Sequence, residues 1–179
     1  MLTIGHSNRP LAELIAMLAA HGVNLLVDVR TVPRSRHNPQ FNAEALPGPL
    51  AAAGIEYVHM PGLGGLRHPR KDSRNTGWRN LSFRGYADYM ETDEFERNLA
   101  QLLRLEEGRS VAIMCAEAVP WRCHRALIAD ALAARGIPVR HIMSATKADL
   151  HKLTAFARVE GTKVTYPPEE LELFSSGTP

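Results

Sequence analysis

The 179-residue sequence is poor in cysteine and aromatic side chains, carries a net charge of only +2, and has no long apolar run. Two cysteines, Cys115 and Cys123, are too few for a disulfide scaffold, so a reducing cytoplasm is expected. No stretch approaches the roughly 18–20 apolar residues that span a bilayer, and no membrane partner is expected. The N-terminus lacks a basic lead, and His6, Ser7, Asn8 and Arg9 interrupt its apolar start, which argues against a secretory signal. A nucleotide fingerprint is missing too: Gly62-Leu63-Gly64-Gly65 has neither the lysine nor the helix that a phosphate loop requires. With 45% hydrophobic residues and a near-neutral balance, the chain is not disordered. It is expected to form one α/β domain over residues 1–160, with a C-terminal tail over 161–179.

Charge is unevenly placed. Arg30, Arg34, Arg36 and His37 cluster without an acid, and Arg67, Arg70, Lys71, Arg74, Arg79 and Arg84 face only Asp72 between Leu63 and Tyr86. Such runs form either solvated loops or a surface for an anion, meaning a phosphorylated small molecule or a nucleic acid. Arginine outnumbers lysine here, which favours forked recognition of oxyanions.

Five apolar segments read as strands: Leu2–Ile4, Leu25–Val29, Ile55–Met60, Ser110–Met114 and Pro138–Met143. Helical spacing marks Leu11–Leu18, the stretch from Thr92 through Phe95, Leu99, Leu102 and Leu103, and Ala126–Ala134. Shorter helices are expected over Asn42–Ala53, where prolines weaken the pattern, and Tyr86–Met90, and a further helix over Ala145–Arg158. This alternation implies a mainly parallel five-stranded sheet with helices on both faces, a Rossmann-like or rhodanese-like three-layer fold. A long basic loop follows the third strand. Ligands of such sheets collect where strands end, and the unusual polar clusters all follow strands. Gly5-His6-Ser7-Asn8, Asp28-Val29-Arg30, His59 with Gly62–Gly65, and Cys115 to Arg125 should therefore converge on one edge.

The richest of these clusters is Cys115-Ala116-Glu117, followed by Arg122-Cys123-His124-Arg125. A thiol between a buried strand and a helix N-terminus, among cations, is placed to ionise. Glu117 works against that as a like charge, and Cys115 is expected to be the more reactive thiol.

Asp28-Val29-Arg30 and the strand–cysteine–loop–helix–strand unit from Val111 to Ile142 resemble the layout of rhodanese-type sulfurtransferases. The resemblance makes Cys115 the counterpart of the persulfide cysteine, although six residues rather than five separate it from Arg122, unlike the related cysteine phosphatases. A closer resemblance runs through Thr3-Ile4-Gly5-His6-Ser7, Asp28-Val29-Arg30 with Pro33 and Ser35, Tyr57-Val58-His59 with Leu63-Gly64-Gly65, and Cys115-Ala116-Glu117 with Cys123-His124-Arg125. Together these motifs are similar to the uncharacterised family catalogued as domain of unknown function 488, whose name implies no reaction.

Three functions fit these residues. In an enzyme, Cys115 would be the nucleophile, with His6, Glu117 or His124 as acid–base groups. Ser7, Asp28, Arg30, Ser35, His59, Gly64, Arg122 and Arg125 would shape the substrate or anion site. In a nucleic-acid or nucleotide module the basic loops would meet phosphate while Tyr57, Trp78, Phe83, Tyr86 or Trp121 stack on bases. A metal site could use Cys115, Glu117, Cys123 and His124, although no paired CxxC signature is present and no resident cofactor is assigned from sequence.

Overall fold

The computed structural model describes residues 1–168. Strands β1 (Leu2–Gly5), β2 (Leu25–Asp28), β3 (Glu56–His59), β4 (Val111–Cys115), β5 (Arg140–Ser144) and β6 (Lys147–Leu150) form one sheet in the order β3-β2-β4-β1-β5-β6. The first five are mutually parallel, and β6 returns antiparallel on β5. Parallel strands need crossovers, and helices supply most of them. Helices α1 (Leu11–Ala20) and α2 (Pro47–Ala52) cover one face. Helices α3 (Leu81–Tyr89), α4 (Asp93–Glu106) and α5 (Arg125–Ala133) cover the other.

Strand alternation sorts side chains between the two cores. In β4, Val111, Ile113 and Cys115 point toward α3–α5, while Ala112 and Met114 point toward α1 and α2. Cys115 is thus held at the carboxyl end of a fully buried strand. Two polar caps start the helices on its side. The Asn80 side chain accepts from Ser82 N–H (2.9 Å) and Phe83 N–H (3.3 Å), and Thr92 accepts from Phe95 N–H (3.2 Å).

Several sequence expectations are corrected. The sheet has six strands rather than five, and the expected helix over Ala145–Arg158 does not form. Instead Ala145 and Thr146 turn the chain into β6, whose Ala148 packs against the core on the α1 and α2 face of the sheet. A second ribbon pairs β7 (Arg158–Glu160) with β8 (Lys163–Thr165). Residues from 161 onward, expected as tail, therefore include a strand and the fully buried Tyr166, while residues 169–179 lie outside the described residues. Pro47 starts α2 rather than disrupting it, because the first helical turn needs no N–H from that position. Helix α3 begins five residues before the expected Tyr86.

The basic loop is present, mostly irregular from Gly64 to Asn80, and well anchored. Arg67 lies over the Tyr89 ring (3.5 Å) and donates to the Gly62 and Gly64 carbonyls. Arg70 and Arg74 pair with Glu91, and the buried Asn75 donates to Asp88 and Glu91. Much of the positive charge counted from sequence is spent in these contacts.

Candidate metal centre and cleft

The carboxyl ends of β1, β2 and β4 meet beside the loop that follows Cys115. His6 N–H donates to the Cys115 carbonyl (3.0 Å) and Ser7 N–H to the Ala116 carbonyl (2.8 Å), so the two chains run on together past the sheet. Ser7 adopts a left-handed φ of 53° to make the turn. Gly5 is required by close approach: a Cβ there would fall 1.8 Å from the Glu117 carbonyl oxygen. That same carbonyl accepts from Arg125 Nη2 (2.5 Å), and Arg125 Nη1 donates to Thr3 Oγ1 (3.2 Å). Arg125 is almost wholly buried, has no carboxylate partner among the described residues, and leaves its Nε–H unpaired. It braces the cysteine loop and lines no wall of the cleft.

Cys115, Cys123 and His124 form a compact cluster, with their ligand atoms all within 4.8 Å of one another. His124 Nδ1 lies 3.6 Å from Cys123 Sγ and 3.8 Å from Cys115 Sγ. Its Nε2 lies 3.2 Å from the Val29 carbonyl, which takes the ring proton there and leaves the Nδ1 lone pair facing both sulfurs. Cys123 sits between a 3-10 turn over Pro120–Arg122 and the start of α5, just before the helix rather than on it. Gly65 passes close enough to the imidazole that a Cβ on it would fall 2.5 Å from Nδ1.

The two thiols divide their proton unevenly. The hydrogen bond to Cys123, and burial after it, pushes the Cys115 thiol above its ordinary range. Burial opposes ionisation of Cys123 as well, but the hydrogen bond from the Cys115 thiol works the other way and pushes that thiol down. Arg125 favours the thiolate at both positions. In the hydrogen bond between them Cys115 is the donor and Cys123 the acceptor.

An open cleft of about 480 Å³ reaches the cluster. Arg30, Glu117, Arg122, Cys115, Cys123 and His124 line it, together with Thr31, Val32, Gly65, Leu66, Asn80, Ser82 and Phe83. Of the expected acid–base and anion groups, only Glu117, His124, Arg30 and Arg122 therefore meet Cys115 in the cleft. Glu117 does not join the compact ligand set. Arg30 is heavily engaged: Nε and Nη2 donate to Asp28, Nη2 also to the Phe41 carbonyl, and Nη1 to His6 Nε2 (3.1 Å). One Nη1–H remains without a protein acceptor among the described residues.

His6 is a support for Arg30. Its Nδ1–H donates to the Ser7 carbonyl (2.7 Å), it stacks on Phe41, and burial followed by the Arg30 charge lowers its pKa to about 4. Asp28 is fully buried beneath Arg30 and also accepts from Tyr57 Oη (2.8 Å). His59 Nε2 bonds the Arg30 carbonyl (2.8 Å), and Ser35 Oγ accepts from His37 and Asn38 N–H to make a turn. Gly64 allows Thr31 to approach. Ser7, Asp28, Ser35, His59, Gly64 and Arg125 line no wall of the cleft. Sequence reasoning missed Thr31, Val32, Leu66, Asn80 and Ser82. The adjacent Cys123-His124 pair was the one signal available for the full cluster.

No match is found among curated proteins or among solved structures. Residues 10–132, well over half of the chain and including every side chain of the cluster, match the family described as Domain of unknown function DUF488. The chain belongs to that family.

Proposed function

We propose that this chain is a metal-dependent enzyme whose reacting centre is a zinc-class ion held by Cys115, Cys123 and His124. The observation that carries this reading is the spacing of the three ligand atoms. With Zn–S near 2.3 Å and Zn–N near 2.0–2.1 Å, tetrahedral vertices stand about 3.6 Å apart for S···N and about 3.8 Å for S···S. The sulfurs stand 3.6 and 3.8 Å from Nδ1. The Val29 carbonyl on Nε2 supplies the backing that orients a ligating imidazole. Two thiolates and an imidazole are a soft donor set suited to zinc. Three protein ligands leave the fourth position to the cleft, as in catalytic zinc sites.

Such an ion supplies Lewis acidity there. Around it, Arg122 and the remaining Arg30 Nη1–H are placed to hold an anion, and Glu117 on the same wall can take a proton from water. Metal-assisted hydrolysis of a phosphorylated small molecule fits best. Nucleic acid fits less well, since the loop arginines Arg67, Arg70 and Arg74 are occupied by Tyr89 and Glu91.

A second reading, thiol catalysis without metal, is favoured by the acidic Cys123, which would then replace Cys115 as the nucleophile. Cobalt(II) titration of protein purified without a histidine tag separates the two. The metal reading expects thiolate-to-cobalt charge-transfer absorption, its loss in Cys123→Ser, and protection of both thiols from iodoacetamide by zinc. Absence of that band, with alkylation at the same rate whether or not zinc is present, would overturn it.

A further inference from the structure

One wall of the cleft beside Cys115, Cys123 and His124 takes no part in holding an ion or an anion. The start of α3 builds it from Asn80, Ser82 and Phe83. Phe83 lies one helical turn before Tyr86 on the same face of α3, and the Tyr86 ring stands 5.0 Å from the His124 ring, centroid to centroid. The helix therefore sets Phe83 beside the cluster. Its ring stacks on Trp78, with centroids 4.8 Å apart and planes at 18°. Trp78 is held in turn by Phe156, edge-on at 4.9 Å, and by Tyr166 at 5.5 Å. Trp78 lines no wall of the cleft, so Phe83 stands between the indole and the open space. The second face of Phe83 has no aromatic partner among the described residues.

Next to that ring stand polar groups with hydrogens to donate. Asn80 Oδ1 is consumed in capping α3, where it accepts from Ser82 and Phe83 N–H. Its Nδ2 hydrogens and the Ser82 hydroxyl have no protein partner among the described residues. On the loops that complete the cleft, Val32 and Leu66 are exposed at 62% and 74%, unusual for large apolar side chains. Leu66 N–H donates to Thr31 Oγ1 (3.2 Å), which keeps the two loops side by side. Arg30 and Arg122 line the same space. A fixed aromatic face, amide and hydroxyl donors, open apolar area and two cations thus share one cleft of about 480 Å³. That volume falls within the range of about 300–1,000 Å³ typical of sites for one small ligand.

We infer that the ligand of this cleft is a nucleoside monophosphate, its base stacked on Phe83 and its phosphate at Arg122 and the remaining Arg30 Nη1–H. The inference rests on the reading of this cleft as a site for a phosphorylated small molecule, and adds recognition of a planar ring to it. A ring already held by Trp78 loses little freedom when a base stacks on it. Every base has a π face, so such a platform takes purines and pyrimidines alike. Asn80 Nδ2 and Ser82 Oγ are the donors available to acceptors on the base edge, which a plain phenyl ring lacks. Val32 and Leu66 supply apolar surface that the sugar and base would cover. A single nucleotide suits the space better than a strand. The cations that would follow a longer backbone, Arg67, Arg70 and Arg74, are occupied by Tyr89 and Glu91.

The test is isothermal titration calorimetry of the full chain, metal-free and zinc-loaded, with adenosine 5′-monophosphate, uridine 5′-monophosphate, ribose 5-phosphate and phenyl phosphate. Both nucleotides should bind about tenfold or more tightly than ribose 5-phosphate and phenyl phosphate. Phe83→Leu keeps an apolar side chain against Trp78; it should erase the advantage of the nucleotides and leave ribose 5-phosphate unchanged. Phe83→Tyr keeps the ring and should retain that advantage. Because Phe83 also packs at the start of α3, Leu66→Ser at an exposed position provides an arm that spares the fold. It should weaken both nucleotides about threefold at an unchanged melting temperature. Ring and metal are read separately: failure to bind zinc would refute the metal centre, while discrimination between the phosphates stays measurable on the metal-free protein. Equal affinity for nucleotides and ribose 5-phosphate, phenyl phosphate binding as tightly as the nucleotides, no binding of any of them with or without zinc, or a Phe83→Leu protein that keeps the nucleotide advantage would each overturn the inference.

Discussion

Replacing Gly65 by alanine tests the geometry on which the thiolate centre depends. The new Cβ would stand 2.5 Å from His124 Nδ1, 2.8 Å from Cγ and 3.0 Å from Cε1. Ordinary van der Waals contact begins near 3.4 Å, so the ring must retreat by about 0.9 Å. It has little room to do so: Nε2 is tied to the Val29 carbonyl and the Tyr86 ring lies 5.0 Å away, centroid to centroid. Overpacking of this kind costs about 1–3 kcal/mol of stability. The displacement also moves Nδ1 off the vertex it shares with the two sulfurs, and misplaced ligand support costs about 10–100-fold in metal affinity. The assay is zinc competition against a chromophoric chelator, with urea unfolding of the metal-free protein run in parallel to separate the two losses. A folded Gly65→Ala protein that holds zinc within twofold of the parent would refute the reasoning.

Three further outcomes follow from buried charge and hydrogen bonding. Asp28→Ala strands the Arg30 guanidinium without its bidentate partner and should cost about 3–5 kcal/mol in urea unfolding; a loss below about 1 kcal/mol would show the pair to be dispensable. His6 and His141 are both held neutral, with pKa values lowered to about 4. Between about pH 6.5 and 4 the unfolded chain takes up protons that the folded rings refuse, so stability falls as pH drops through that window. The slope from the two rings is at most about 2.7 kcal/mol per pH unit, and His6→Gln should flatten it, whereas an unaltered slope in that variant would contradict the assignment. Gly5→Ala, aimed at the Glu117 carbonyl, should prevent accumulation of folded protein; a melting temperature equal to the parent's would contradict the close approach of these chains.

The fold was legible where burial writes a simple pattern. Segments such as Leu25–Val27 and Val111–Cys115 are apolar throughout because helices cover both faces of a parallel strand. The Ala145–Arg158 segment misled for the opposite reason. Its alanines, lysines and leucines have helical propensity, yet the turn at Ala145-Thr146 and the free edge of β5 draw it into a hairpin, so tertiary context decided the structure. At the site, the sequence showed which chemistry-bearing residues follow strands, and Cys115, Glu117, Arg122, His124 and Arg30 do line one cleft. It could not show which polar groups are consumed internally. His6, Asp28 and Arg125 have the composition of a catalytic set, but their hydrogen bonds go to Arg30 and to the loop backbone. Nor does residue type reveal which of two adjacent thiols keeps the shared proton, since that depends on the hydrogen bond between them.

The most direct measurement is X-ray absorption at the zinc edge on protein purified without a histidine tag and loaded with less than one equivalent of zinc. Two sulfur scatterers at about 2.3 Å and one imidazole nitrogen at about 2.0–2.1 Å, with the remaining scatterer light, are expected from Cys115, Cys123 and His124. A shell of nitrogen and oxygen alone, with no sulfur at that distance, would contradict the thiolate centre.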